Sequence, residues 1–229
     1  MMPGGGDERV RNVAVLGSSG HAAAVADALE SGGRYRVVGL LDDFEPGGTH
    51  KRGHTILGPL RDIAAIAHRC SFRDIAIAVG DNWNRQQLTE RLLVLFPEAN
   101  LVNAIHARAH VSPSACLGRG IVVAPGAIVG PNCRIAEGCI INTSASVDHD
   151  SELHAFSSVA PGAHLGGGTR LGPRSAICIG AVLSHRVSVG SDTIVGAGAV
   201  VLSDLPDGVV AYGVPARIKR RRRPHDPYL

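Results

Sequence analysis

The sequence predicts a small parallel α/β unit over residues 12–102, followed by a parallel β-solenoid over residues 103–216. The strongest observation is a six-residue register. Ile105, Val111, Leu117, Val123, Val129, Ile135, Ile141, Val147, Leu153, Val159, Leu165, Leu171, Ile177, Leu183, Val189, Val195 and Val201 stand six apart without a break. A period of six fits neither the 3.6 of a helix nor simple strand alternation, so each hexamer is one flat side of a repeating coil. The second observation is that a mostly small residue follows four places after each aliphatic, as at Ala127, Cys133, Cys139 and Ala145, which a narrow three-sided interior requires. The third is the alternation of strand and helix signals before residue 103.

In chain order, Val13 to Leu16 reads as a buried strand, Gly17-Ser18-Ser19-Gly20-His21 as a turn, and Ala22 to Leu29 as a helix. Tyr35 to Leu41 reads as a second strand ending in Asp42-Asp43. Ile75 to Val79 is a third, ending in Gly80-Asp81-Asn82, and Asn84 to Leu95 is a helix. Pro97 and Asn100 punctuate the passage into the coil. Three hexamers make one coil, so residues 18 apart should stack, and the unbroken register leaves no long loop between 105 and 201. Glycine commonly follows the aliphatic (Gly118, Gly130, Gly166, Gly172, Gly190, Gly196), where a turn with positive φ is expected.

Few aromatics and 29 glycines suit a solenoid packed by aliphatic ladders. No apolar run reaches the length of a membrane span, residues 1–11 carry no signal-peptide core and read as a flexible start, and a cytoplasmic location is expected. Five cysteines without a CxxC pair read as reduced structural thiols. The net charge of +3 belongs to the end of the chain. Six Lys or Arg and one acid follow Ala216, leaving 17 basic and 19 acidic residues before it. This basic tail, 217–229, reads as a solvated, disordered end, with contact to phosphates as its functional alternative. Without interleaved aromatics it does not point to nucleic acid.

The first βα turn offers Gly17 and Gly20 without a full GxGxxG, a partial fingerprint for phosphate at a helix N-terminus. Acids closing the second strand, Asp42 and Asp43, can accept from ribose or base donors. In the coil, His149 lies two places after Val147 at an outward corner, flanked by Asp148 and Asp150. A carboxylate beside an imidazole orients the ring and raises its basicity, the requirement for a general base.

Gly17 to His21, Leu41-Asp42-Asp43-Phe44, Val79-Gly80-Asp81-Asn82, Leu101 to His106, Ile141-Asn142-Thr143 through Asp148-His149-Asp150, and Gly213 to Arg217 together resemble the bacterial nucleotide-sugar acetyltransferases of the hexapeptide-repeat type. These include bacillosamine and perosamine N-acetyltransferases and sialic acid O-acetyltransferases. The resemblance implies a Rossmann-like domain that holds a sugar nucleotide, a left-handed β-helix, a homotrimer, and acetyl-CoA as co-substrate between neighbouring helices, with no metal. It implies His149 as the catalytic base, Asp150 as its supporting acid, and Asn142 near the acceptor amine; a structural asparagine ladder is the other reading of Asn142. Gly17, Ser18, Ser19, Gly20, His21, Asp42, Asp43 and Asp81 are implied in nucleotide-sugar binding, and Ser158, Gly167, Ile179 and Ala197 in acetyl-CoA binding. Ser158 departs from the family, which carries a second histidine there. His154, His164 and His185 have weaker claims, although His185 stands two coils beyond His149 on the same face. An amino group on a nucleotide-linked 4-amino sugar is the expected acceptor, with O-acetylation of sialic acid or a related sugar as the alternative.

Two remote readings compete. The γ-class carbonic anhydrases share the repeat and bind zinc through three histidines. Here the frame from His149 and His154 has Pro113 at the first ligand position, and the frame from His149 and His185 has Gly190 at the last, so each is one ligand short. A non-catalytic sugar-nucleotide-binding protein would leave His149 and its flanking acids without a task.

Overall fold

The computed structural model describes residues 10–227. The first nine residues of the expected flexible start, and the last two of the expected tail, lie outside the described residues. Arg11, placed in that start by the sequence, instead opens the first strand.

The N-terminal part is built from β1 (Arg11–Leu16), α1 (Gly20–Glu30), β2 (Tyr35–Leu41), β3 (His50–Lys51), β4 (His54–Gly58), α2 (Ile63–Cys70), β5 (Asp74–Ile77), α3 (Asn82–Leu95) and β6 (Asn100–Leu101). These strands form one sheet in the order β3-β4-β2-β1-β5-β6, parallel except at the β3–β4 pair. The apolar run of β1 follows from burial on both faces. Val13 and Val15 pack towards α1, while Ala14 and Leu16 pack towards α2 and α3. The strand at Tyr35–Leu41 agrees with its expected bounds. The β3–β4 hairpin and α2 were not expected, because β3 is two polar residues long and α2 is a short Ala-rich segment with half of its residues exposed.

From residue 104 the chain is a parallel β-helix. Two-residue strands recur every six residues, each ending on an aliphatic of the register, from Ala104–Ile105 to Val200–Val201. They stack 18 residues apart into three sheets, which continue without a slip, as Val122↔Ile140 and Val129↔Val147 illustrate. From Val123 onward the register aliphatics are buried, and Ala127, Cys133, Cys139, Ala145, Ser151 and Ser157 fill the narrow interior. Cys133 and Cys139 are thus interior thiols, and burial pushes both above the ordinary range.

One local expectation is corrected. The glycine directly after the aliphatic does not have positive φ; it is needed because a methyl group there would strike the next coil. At Gly130 it would stand 2.9 Å from the His149 nitrogen, and at Gly172 2.5 Å from that of Ser191. The left-handed position lies two residues later, from Gly120 to Gly198 in every hexamer, and is filled by Asn132, Ser144, Asp150 and Arg174 as well as by glycine.

The two parts are joined by a buried cation. Arg85 of α3 is 1% exposed. It donates to Val79 O and Gly80 O beside its own sheet, and to Gly138 O at 2.7 Å and Phe156 O at 2.8 Å in the coil. Asn82 Nδ2 donates to Arg174 O and Ser175 O. The apolar seam between α1 and the coil adds Val102, Ala104, Val122 and Ile140.

The basic end is exposed as expected, but over 217–222 it is not disordered. Arg217–Arg221 is a strand paired antiparallel with Val209–Tyr212 at the end of the coil. Beyond it Arg222 is buried, donating to Asp192 O at 2.7 Å. Pairing the backbone leaves the side chains from Arg217 to Arg221 as an exposed basic ribbon.

Candidate active site

His149 stands at the corner between the coil strands Ser146–Val147 and Glu152–Leu153, where one coil sheet passes into the next. Its ring is about half exposed, and Nδ1 lies 2.7 Å from Asp150 Oδ2. Asp150 can reach back to its neighbour because it occupies the left-handed position, with φ of 58°. Its other oxygen accepts from Asn132 Nδ2 at 3.1 Å, one coil away. Asp148 Oδ1 accepts from the His149 backbone N–H, and its Oδ2 is 4.0 Å from Nε2. The hydrogen bond to Asp150, then the charge of Asp148, raises the imidazole above its ordinary range, while His149 holds the Asp150 carboxyl below its own. With Nδ1 engaged, Nε2 is the ring atom left to take a proton.

Gly167 and His185 occupy the same column, one and two coils on. A methyl group at Gly167 would stand 2.6 Å from Cε1 and Nε2 of His149, so the ring lies against its Cα. Gly167 N–H donates to His185 Nδ1 at 2.9 Å, and Gly167 O accepts from Arg186 N.

A second group surrounds a cleft of about 380 Å³ between the sheet domain and the coil, lined by Asn142, Ser158, Ile179, Ala197, His21 and Gly80. Ile179 and Ala197 belong to a different corner column from His149 and Gly167, a distinction that hexamer position could not make. Asn142 stacks between Ala124 and Ala160, with no asparagine above or below it, so the ladder reading does not hold. Its Oδ1 accepts from Thr143 N, and the residue lines the cleft. His21, at the start of α1, has a buried Nε2 without a partner among the described residues. Burial, then the charge of Arg85, lowers its pKa to about 4, so it is neutral at ordinary pH.

The remaining candidates cluster at the carboxyl ends of the sheet strands, several with structural work. Ser18 Oγ donates to Asp42 Oδ2 at 2.6 Å, and Asp42 Oδ1 accepts from Phe44 N and Glu45 N. Asp43 accepts from Leu60 N and pairs with Arg91. Asp81 caps α3 through Asn84 N. Gly17, at φ of 115°, passes so close to Ala78 O that no side chain fits. Ser19 and Gly20 start α1 with no side-chain cap; Ala22 N donates to Ser19 O, and no partner is seen among the described residues for the N–H groups of Gly20 and His21.

Arg85 was missed by the sequence reading, since an arginine in a polar helix signals a solvated face. Asn132, which fixes Asp150, was missed as well; its signal was its place 18 residues before Asp150. Among the described residues, no helix is long and apolar enough to cross a membrane, and no group of three or more His, Cys, Asp or Glu is disposed to hold a metal ion.

Residues 12–92 match the family described as PglD N-terminal domain. A curated relative, UDP-N-acetylbacillosamine N-acetyltransferase of Bacillus subtilis, is 34% identical over 118 residues, 50% of this chain and 51% of that enzyme. The chain thus spans about half the length of this curated relative. Solved structures extend the likeness to nearly the whole chain. PerB from Caulobacter crescentus, in complex with CoA and GDP-perosamine, is 38% identical with a TM-score of 0.85, over 91% of this chain and 97% of that one. The acetyltransferase domain of PglB from Neisseria gonorrhoeae, in complex with acetyl coenzyme A, is 39% identical with a TM-score of 0.84, over 92% and 100%.

Proposed function

The chain belongs to the hexapeptide-repeat nucleotide-sugar acetyltransferases, and from that premise we propose that it transfers acetyl from acetyl-CoA to the amino group of a nucleotide-linked sugar, most closely a 4-amino-deoxy sugar. The observation that carries the proposal is the His149–Asp150 pair, exposed at a coil corner with Nε2 free to accept a proton. The acceptor amine attacks the thioester carbonyl directly, His149 Nε2 takes the proton the amine loses, and the CoA thiolate departs. Asp150 holds the ring through Nδ1 and stabilises the imidazolium. No acyl-enzyme forms.

The same reading assigns the nucleotide to the carboxyl ends of β1 and β2. The open N–H groups at the start of α1 suit a phosphate, and Asp42 with Ser18 borders the ribose and base. Asn142 faces the acceptor amine. Ser158, in the position of the family's second histidine, donates a neutral hydrogen bond towards the thioester carbonyl. Ile179 and Ala197 border the pantetheine arm, and the exposed ribbon from Arg217 to Arg221 meets the CoA phosphates. Tyr212, which packs on Gly196 beside Ala197, links that ribbon to the cleft; Lys219 Nζ lies 5.1 Å from its ring centroid.

A homotrimer completes the site. The His149 corner and the Asn142–Ala197 corner border opposite edges of one coil face, that of Ile128–Val129, Ser146–Val147 and Val182–Leu183, so one chain does not bring them together. That face exposes Ile128 at 48% and Val182 at 40%. Packing three such faces about a common axis covers the apolar side chains and sets the His149 corner of one subunit against the cleft of the next. The direct test is release of CoA thiol by the purified protein from acetyl-CoA and UDP-, GDP- or dTDP-linked 4-amino sugars.

A further inference from the structure

We infer that Gly167 is a positioning residue for His149: its missing side chain and its peptide, held by His185, form the floor on which the imidazole lies. The inference rests on the assignment of His149 as the base. Three observations carry it. A Cβ at residue 167 would stand 2.6 Å from both Cε1 and Nε2 of His149 and 3.1 Å from Cδ2, well inside contact distance for the whole outer edge of the ring. No positive φ is required of Gly167, in contrast to Gly168 at 72°, so conformational freedom does not explain the glycine. The peptide is also fixed on both sides, with its N–H donated to His185 Nδ1 at 2.9 Å and its carbonyl accepting from Arg186 N at 2.9 Å.

The geometry leaves the ring little choice. Gly130 closes on the His149 backbone from the preceding coil, and Gly168 N donates to His149 O at 2.8 Å from the following one. With the main chain held between two coils, a methyl group at 167 is relieved only by turning the imidazole, and turning it lengthens the Nδ1–Asp150 bond. The hydrogen bond from Gly167 N–H to His185 Nδ1 ties this floor to the next coil. The charged and titratable groups facing the ring are Asp148 and Asp150 on its own corner and His185 in its own column.

The test compares Gly167→Ala with the parent enzyme, with His149→Ala and with Gly172→Ala. Gly172 is also a glycine packed on backbone, one that does not touch His149. Gly167→Ala is expected to lower kcat about tenfold or more, as sub-ångström to ångström misplacement does. KM for both substrates should stay within about twofold, and the acid limb of the pH–kcat profile should move to lower pH. The imidazole titration of His149, followed by NMR, should fall with it. Gly172→Ala should lower Tm and leave the acid limb in place. Should Gly167→Ala fold poorly, His185→Phe removes the acceptor of the Gly167 N–H and is expected to shift the same limb in the same direction. An unchanged His149 titration in both variants overturns the inference. Full turnover in His149→Ala overturns the base assignment instead, and the NMR titration still reports whether Gly167 sets the ring.

Discussion

His149 Nδ1 and Asp150 Oδ2 lie 2.7 Å apart although the two residues are adjacent in sequence, and the left-handed φ of 58° at Asp150 turns its carboxylate back onto the ring. A β-helix has a left-handed position in every hexamer. Here that corner brings an imidazole and a carboxylate from neighbouring residues together, the pair proposed as base and supporting acid. His149→Ala is expected to lower kcat about 100-fold or more, with nucleotide-sugar affinity largely kept. Steady-state kinetics with thiol detection, and calorimetry of the sugar nucleotide, check both halves.

The pH dependence follows from the same pair. The raised imidazole pKa places the acid limb of kcat/KM above the ordinary histidine range near 6.5. Replacing Asp150 by Asn removes the leading cause of the shift, so the limb moves to lower pH while the plateau falls. The stability linkage has opposite signs for the partners. The raised His149 stabilises the fold below its unfolded pKa and loses that contribution as pH rises through the folded value. The lowered Asp150 stabilises above its unfolded pKa and loses its contribution as pH falls through the folded value. A pH–rate profile of Asp150→Asn against the parent measures the displacement.

The proposed sharing of the site between chains predicts complementation. His149→Ala and Asn142→Ala are each expected to be nearly inactive, yet trimers assembled from a mixture of the two contain some interfaces with both residues intact. Co-refolding the two at equal amounts should restore a fraction of parental turnover well above either alone. Turnover no greater than the average of the separate variants would assign both residues to one chain's site.

Arg85 is the stability prediction. Arg85→Leu strands the Gly138 and Phe156 carbonyls in the seam, at about 1–3 kcal/mol for each buried acceptor left without a donor. Denaturant unfolding should register a total loss of more than about 2 kcal/mol. Removing the charge that lowers His21 should also let its titration rise from about 4, which NMR follows directly.

The basic ribbon predicts a selective effect on one substrate. Arg217→Ala with Lys219→Ala should raise KM for acetyl-CoA several-fold, with little change for its 3′-dephospho analogue or for the nucleotide sugar. Equal effects on the analogue would remove the phosphate contact.

Legibility in the sequence followed how local each constraint was. The hexamer register was readable because every coil repeats the same steric demand, and it located all the coil strands from Ala104–Ile105 to Val200–Val201. The His149–Asp150 pair was readable for the same reason: its partners are adjacent. The division of Gly167 and Ile179 between two corners is invisible in hexamer position and follows only from their offsets of 18 and 30 from His149, since multiples of 18 share a column. Arg85 was hidden because its carbonyl partners, Gly138 and Phe156, lie 53 and 71 residues away. Asp43 and Asp81 drew attention as acids beside a nucleotide turn; their local partners, Leu60 N and Arg91 for Asp43 and Asn84 N for Asp81, were less legible. The strand at Arg217–Arg221 was masked by its charge, since its ladder with Val209–Tyr212 uses main-chain groups only.

The central claim is acetyl transfer to an amino sugar carried on a nucleotide. Its most direct measurement is the rate of CoA thiol release by the parent protein with acetyl-CoA and each of the UDP-, GDP- and dTDP-linked 4-amino sugars. The account predicts turnover with one of them, a product heavier by one acetyl group on the amine, and loss of that turnover in His149→Ala. No thiol release with any of them from folded, trimeric protein would contradict it.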